Sequence, residues 1–212
     1  MSAKSSTPRL LIERPGLLAT VQDFGRPGLA SRGIAPSGAL DRAALRTANR
    51  LLGNPEDAAG IELTMGGLAA MLMPGSAPDA DAWVAVTGAR GDITIDGRSV
   101  DPNRAVRLAA GSRLEIGIPT HGVRPYLAVR GGFDAPLVAG SRSTDVMAGL
   151  GRAPLAPGDV IEIRDDAIAP VPANDLSPWS VPAGDIDVML APGPRADWFE
   201  ASALAALFDE PW

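Results

Sequence analysis

The feature that most constrains this fold is a succession of short apolar runs, each closed within a few residues by turn-forming side chains. RLLIE (9–13), IELTM (61–65), LAAMLM (68–73), WVAVTG (83–88), ITIDG (93–97), VRLAAG (106–111), RLEIGI (113–118), YLAVRGG (126–132) and VIEI (160–163) have strand length and are too short for helices. The chain holds 24 Gly and 20 Pro without period, which marks turns rather than a collagen repeat. Asp96-Gly97 is a hairpin signal of the primed-turn kind. One segment changes period. LDRAALRTANRLLGN sets Leu40, Ala44, Leu45, Ala48, Leu51 and Leu52 on one face and predicts a helix over about 40–52. Asp41 near its start and Arg46 and Arg50 near its end suit the helix dipole. Gly53 is placed to stop it, with Pro55 just beyond. Many short strands with few helices predict a mainly β fold: a closed or nearly closed β-barrel with a helix over one opening.

Between the first strand and the helix, residues 14–38 read as loop, punctuated by Pro15, Gly16, Gly25, Pro27, Gly28, Gly33, Pro36 and Gly38. The stretch TVQDFGRPG (20–28) holds the chain's one glutamine and reads as too polar for a core. Residues 133–159, with GSRST inside, form a connection long enough to suggest function. Residues 164–184 are rich in Pro, Asp and Ala without periodicity and read as linker. The expected organisation is a disordered tail over 1–8, a first domain over 9–165, a linker over 166–185 and the start of a second domain over 186–212. That last part offers a strand, DVML (187–190), and an amphipathic helix carrying Trp198, Phe199, Ala203, Leu204, Leu207 and Phe208. These either dock on the first domain or open a domain that continues beyond residue 212.

Composition removes several chemistries. A hydrophobic content of 46% supports a packed core. A formal charge of −6 argues against the basic face that nucleic acid requires. No apolar run reaches membrane-spanning length, and MSAKSSTPR has no apolar signal core, so a cytoplasmic chain is expected. Without cysteine there is no thiolate nucleophile or zinc–thiolate site, and no cluster has metal-ligand spacing. The single histidine, His121 beside Gly122, reads as a surface turn residue rather than a catalytic one. Lys4 in the tail is the only lysine, which leaves no interior Schiff-base lysine.

Three constellations could carry chemistry, and each has a purely structural alternative. Gln22, Asp23 and Arg26 could bind an amide, move or orient a proton and grip an anion, or could staple a tight turn. Ser37, Gly38 and Asp41 could seat an anion at a helix start, or Ser37 or Asp41 could simply cap the helix. Ser141, Arg142 and Thr144 in AGSRSTD could cradle a carboxylate or phosphate, or form a hydrogen-bonded surface turn; no GK[ST] of a P-loop is present.

Taken in order, PGLLATVQDFGRPG, GIAPSGALDRAALRTANRLLGNPEDAAGIELT, WVAVTGA, GVRPYLAVRGGFDAPLVAGSRSTD and GRAPLAPGDVI resemble the biotin-dependent carboxyltransferase-like family. That family comprises the C subunit of the prokaryotic ATP-dependent 5-oxoprolinase, allophanate hydrolase subunit 2, the antagonist of the sporulation-kinase inhibitor, and half of the urea carboxylase carboxyltransferase domain. The resemblance runs from about residue 9 to 210 and departs at GGLAAMLMPG (66–75), where the family has a Gly-Pro pair and an aromatic-bearing strand. It implies cyclophilin-like β-barrel domains and a companion subunit of similar fold, with the active site between the two, and a third subunit in some assemblies. It also implies an ATP-dependent amide hydrolase subunit, foremost of the 5-oxoprolinase type. The alternatives are allophanate or urea-type carboxyltransfer, with biotin carried by another chain, and a non-catalytic regulator of the companion. ATP would be bound by the complex. On this resemblance Gln22, Asp23 and Arg26 become catalytic candidates. Ser37, Gly38, Asp41, Asn49, Ser141, Arg142 and Thr144 become binding candidates. Arg26 and Arg142 would hold a carboxylate or phosphate and Gln22 an amide. Asp23 would orient them or assist proton transfer, and the 37–38 amides would stabilise an oxyanion.

Overall fold

A computed structural model describes residues 8–73, 81–173, 177, 178, 180, 184, 185 and 187–210. The expected tail falls, but for Pro8, outside the described residues. The chain divides into two compact units, Met1–Trp179 and Ser180–Trp212.

Among the described residues the first unit is built from eleven strands and one long helix, all strand pairs antiparallel. The strands are β1 (Arg9–Pro15), β2 (Leu18–Gln22), β3 (Gly60–Thr64), β4 (Leu68–Met73), β5 (Ala82–Arg90), β6 (Ile93–Ile95), β7 (Arg98–Ser99), β8 (Val106–Leu108), β9 (Arg113–Ile116), β10 (His121–Val129) and β11 (Val160–Glu162). One sheet runs β11-β1-β4-β9-β6-β7 and the other β2-β3-β10-β5-β8. Each apolar run named from the sequence is a strand here. The Asp96-Gly97 signal is met by a β6–β7 hairpin with positive φ at both residues, 49° and 75°.

Three expectations about the strands and loops of this unit are corrected. Residues 14–38 are not all loop, because Leu18–Gln22 pairs in full register with β3. His121 is exposed but opens β10, paired with Arg90 ahead of a bulge that ends at Pro125. The barrel is not closed by a continuous ladder. The outer edge of β2 receives amides from Thr144 and Leu155, residues of a segment that makes only isolated bridges. That segment carries Pro154, Pro157 and several glycines, so it covers the sheet edge as loop and cannot supply a ladder strand.

Both sheets turn their apolar faces into one core. Leu10, Ile12, Leu68, Leu72 and Leu114 come from the first sheet, and Val21, Ile61, Leu63 and Leu127 from the second. The helix α1 (Arg42–Leu52) packs on β5 and β10 through Ala48, Leu51 and Leu52 against Ala85 and Ala128. The Asp41 side chain caps its start by accepting from the Ala44 amide, and Gly53 ends it in the left-handed region at φ 68°. Leu40, expected on the apolar face, precedes the helix and is exposed. Past β11 the chain returns to this end: Ile168 and Ala169 donate to the Gly53 carbonyl, and Arg130 bonds the Leu52 and Ala169 carbonyls.

The second unit contains a 3-10 turn (Ala196–Trp198) and a helix α2 (Ala201–Asp209) with no buried residue. Trp198 and Phe199 precede α2 instead of lying on it. The DVML segment is not a strand. Val188 and Met189 are exposed and no strand pairs with them among the described residues, and an extended segment needs a ladder partner to count as one. Among the described residues no helix is long and apolar enough to cross a membrane.

Candidate functional site

Within TVQDFGRPG, Thr20, Gln22, Asp23 and Arg26 are buried, contrary to their polarity, while Pro27 and Gly28 are exposed. Strand β2 alternates: Ala19 and Val21 enter the core, while Thr20 and Gln22 turn to the covering loop. Gln22 donates to the Thr20 hydroxyl (3.0 Å) and the Thr144 carbonyl (3.1 Å). Asp23 follows and gathers the AGSRSTD loop. Its Oδ1 accepts from the Gly25 amide (2.7 Å), the Ser141 hydroxyl (2.6 Å) and the Ser143 hydroxyl (2.5 Å). Its Oδ2 accepts from the Arg142 amide (2.6 Å), and its own amide donates to Ser143 Oγ (3.0 Å). Arg26 is 2% exposed; it donates through Nε to the Val138 carbonyl and through Nη2 to the Ser143 carbonyl. Its Nη1 and Gln22 Oε1 are buried without a hydrogen-bond partner among the described residues. One carboxylate and one guanidinium thus bind the 138–144 loop over the end of β2, the first through hydroxyls and amides and the second through carbonyls.

A second loop closes from the other side. Ser37 donates to Asp145 Oδ2 (3.0 Å), the Ala39 amide to the Asp23 carbonyl, and the Arg26 amide to the Pro36 carbonyl. At Gly38, φ is 91°, and a Cβ there would lie 2.8 Å from the Gly25 nitrogen and the Phe24 carbonyl carbon. The two backbones meet too closely for any side chain at this position. The Asp145 carboxyl is held below the usual carboxylate range, chiefly by the Ala148 amide, with Ser37, Met147 and Arg26 adding to the effect against partial burial. The loop is pinned from beneath. Glu62 Oε2 accepts from the Leu40 amide (2.8 Å) and the Tyr126 hydroxyl (2.7 Å), and that hydroxyl accepts from the Asp41 amide (2.7 Å). Arg124 completes the set with 3.1 Å to Glu62 Oε1. Burial raises the Tyr126 hydroxyl far above its usual value, so it stays protonated and keeps donating.

A cleft of about 190 Å³ lies beside this knot. Asp23, Leu137, Gly140 and Arg142 form part of its lining; Pro55, Asp57, Ala58, Ala59, Gly131 and Gly132 form another part, with Arg164 and Asp166. Asn49 reaches it indirectly. From mid-helix its Nδ2 donates to the Glu56 and Ala58 carbonyls, and its Oδ1 accepts from Asn54, which also accepts from the Gly131 amide. Asp134 Oδ1 sits between the Arg142 Nη1 (3.3 Å) and the Arg164 Nη1 (3.0 Å), and Arg164 Nε also pairs with Asp166 (2.5 Å).

Residues 32–212 match the family described as carboxyltransferase domain, subdomain A and B. This chain belongs to that family. It is 36% identical over 208 residues to the C subunit of 5-oxoprolinase from Escherichia coli, covering 96% of this chain and 64% of the relative. It is 31% identical over 218 residues to a urea amidolyase of Lachancea kluyveri, covering 95% of this chain and 12% of the relative. The crystal structure of TTHA0988 superposes with a TM-score of 0.81 at 32% identity, over 98% of this chain and 40% of that one. The chain therefore spans less than two thirds of the length of each of these.

Within this carboxyltransferase-domain chain, Gln22, Asp23, Arg26, Ser37, Ser141, Arg142 and Thr144 fall in one hydrogen-bonded assembly, and Gly38 joins it by close backbone approach to Phe24 and Gly25. Asp41 caps α1 instead, and Asn49 supports the far wall of the cleft. Arg26 and Arg142 share the 138–144 loop, but only Arg142 lines the cleft; the Arg26 guanidinium is enclosed by backbone carbonyls. Ser143 and Asp145 are equal members of the assembly and lie inside the AGSRSTD run already singled out. Asp134 and Arg164 carry no local signal, since they meet only through the fold. The cleft does not fit a nucleotide triphosphate: it is below the roughly 300–1,000 Å³ of sites for drug-sized ligands, and three of its five charged lining residues are carboxylates. Biotin attachment would need a lysine, and Lys4 is the only one in the chain.

Proposed function

We propose that this chain is the C subunit of an ATP-dependent 5-oxoprolinase, opening the lactam of 5-oxoproline to glutamate with its companion subunits. The observation that carries this reading is the 36% identity with the Escherichia coli protein over nearly the whole of this chain. The geometry supports a positioning role for Asp23 and Arg26. The Asp23 carboxylate accepts four hydrogen bonds from this chain, which supports a role in fixing the 141–143 loop rather than one as a base. Arg142, which that loop carries into the cleft, is the guanidinium placed to meet a substrate carboxylate. ATP is assigned to the companion subunits, because the cleft beside the knot does not fit a triphosphate.

A urea-type carboxyltransferase is the second reading, favoured by the 31% identity with a urea amidolyase, with biotin arriving on another chain. The deciding experiment reconstitutes this chain with its companion subunits and follows ADP release. The first reading expects release that depends on 5-oxoproline and on the presence of this chain. Release driven by urea with a biotinylated partner, and none with 5-oxoproline, would replace it with the second.

A further inference from the structure

The charges around the cleft do not cancel evenly, and what remains has a definite chemistry. Arg142 commits Nη1 to the Ala135 carbonyl and to Asp134, and Arg164 commits Nε and Nη1 to Asp166 and Asp134. Each guanidinium therefore keeps an uncommitted Nη2 among the described residues, and the shared Asp134 oxygen holds the two guanidinia close together. Two such groups side by side suit one carboxylate. Asp57 also lines the cleft, is exposed, and makes no ion pair among the described residues. A free carboxylate of that kind suits an ammonium group. The Asp23 carboxylate is taken up by the knot.

The cleft's volume of about 190 Å³ suits a ligand smaller than the drug-sized molecules of roughly 300–1,000 Å³ sites, the scale of a free amino acid. A polyanion would meet the carboxylates of Asp23, Asp57 and Asp166, and a plain cation would meet two guanidinia. A molecule bearing one charge of each sign answers both.

We propose that this cleft binds a small α-amino acid zwitterion, its carboxylate on Arg142 and Arg164 and its ammonium on Asp57. The inference stands on the cleft alone. Where the 5-oxoprolinase reading also holds, it makes the cleft the seat of the amino-acid product and not of ATP.

The test is a titration of the intact chain, read by backbone amide shifts at Gly131, Gly132 and Gly140 and by calorimetry. The probes are L-glutamate, 5-oxoproline and inorganic phosphate. The expected result is saturable glutamate binding that moves those amides. 5-Oxoproline, whose nitrogen is an uncharged lactam, binds about tenfold or more weaker, the effect of losing one charge contact of about 1.4 kcal/mol. Phosphate leaves the amides unmoved. Asp57→Asn, an exposed substitution that leaves the fold intact, weakens glutamate about tenfold and leaves 5-oxoproline unchanged. The proposal is overturned if phosphate moves the glycine amides, if 5-oxoproline binds as well as glutamate, if Asp57→Asn leaves glutamate affinity unaltered, or if glutamate leaves the amides unmoved. No turnover is measured, so failure here is separate from failure of the hydrolase reading.

Discussion

At the scale of the residue, Asp23 shows why polarity alone misleads about burial. Its carboxylate accepts from two hydroxyls and two amides, and such a group is stable inside a protein because both of its oxygens have donors. The donors on the AGSRSTD loop lie 118 to 120 residues away, so nothing local announces them. Asp23→Ala would leave those four donors without an acceptor, at about 1–3 kcal/mol for each group that water cannot reach. A loss of about 3 kcal/mol or more is expected by urea unfolding, and a loss below about 1 kcal/mol would show that the knot is not structural. Asp145 governs an acid limb. Its folded pKa is depressed, first by the Ala148 amide, so its contribution is full above the ordinary carboxylate value of about 3.9 and is lost as pH falls through the folded value. Asp145→Asn should therefore flatten the fall in melting temperature below about pH 4, while the parent protein falls more steeply. Parallel acid limbs in the two proteins would contradict the assignment.

At the scale of the element, legibility followed the length of the repeat. Helix α1 could be read because its apolar period persists for three turns and ends at a glycine. Strand β2 could not: LATVQ does alternate, but five residues between Pro15-Gly16 and Gly25-Pro27 are outweighed by their turn-forming neighbours. Asn49 entered as a binding candidate through the family resemblance, yet its partners at Asn54, Glu56 and Ala58 put it behind the cleft wall and not in the knot. The SGALD turn could be seen as the start of α1, whereas its anchoring on Glu62 and Tyr126 depends on strands β3 and β10. Tyr126→Phe tests that anchor. It removes the acceptor for the Asp41 amide and a donor to buried Glu62, leaving both under-bonded. Amide exchange at Leu40 and Asp41 should accelerate by about tenfold or more, with stability falling by about 1–3 kcal/mol, while amides in β4 keep their relative order of protection. Unchanged exchange at Leu40 and Asp41 would show that the loop is held from elsewhere.

At the scale of the whole first unit, the two sheets share no ladder among the described residues, so their cohesion rests mainly on side chains. Leu72 in the β11–β7 sheet and Leu63 in the β2–β8 sheet are both fully buried in one cluster with Leu10, Val21, Leu114 and Leu127. The covering loop adds backbone bonds to β2 through Thr144 and Leu155, but these tie only one edge. If burial joins the sheets, neither can unfold while the other stays packed, because each supplies half of the apolar surface that the other hides. Leu63→Ala and Leu72→Ala should each cost about 2–5 kcal/mol, and both should shift one common transition, with amides of β4 and β10 becoming exchangeable together. A variant that loosens β10 while β4 stays protected would mean that the sheets are separate cooperative units.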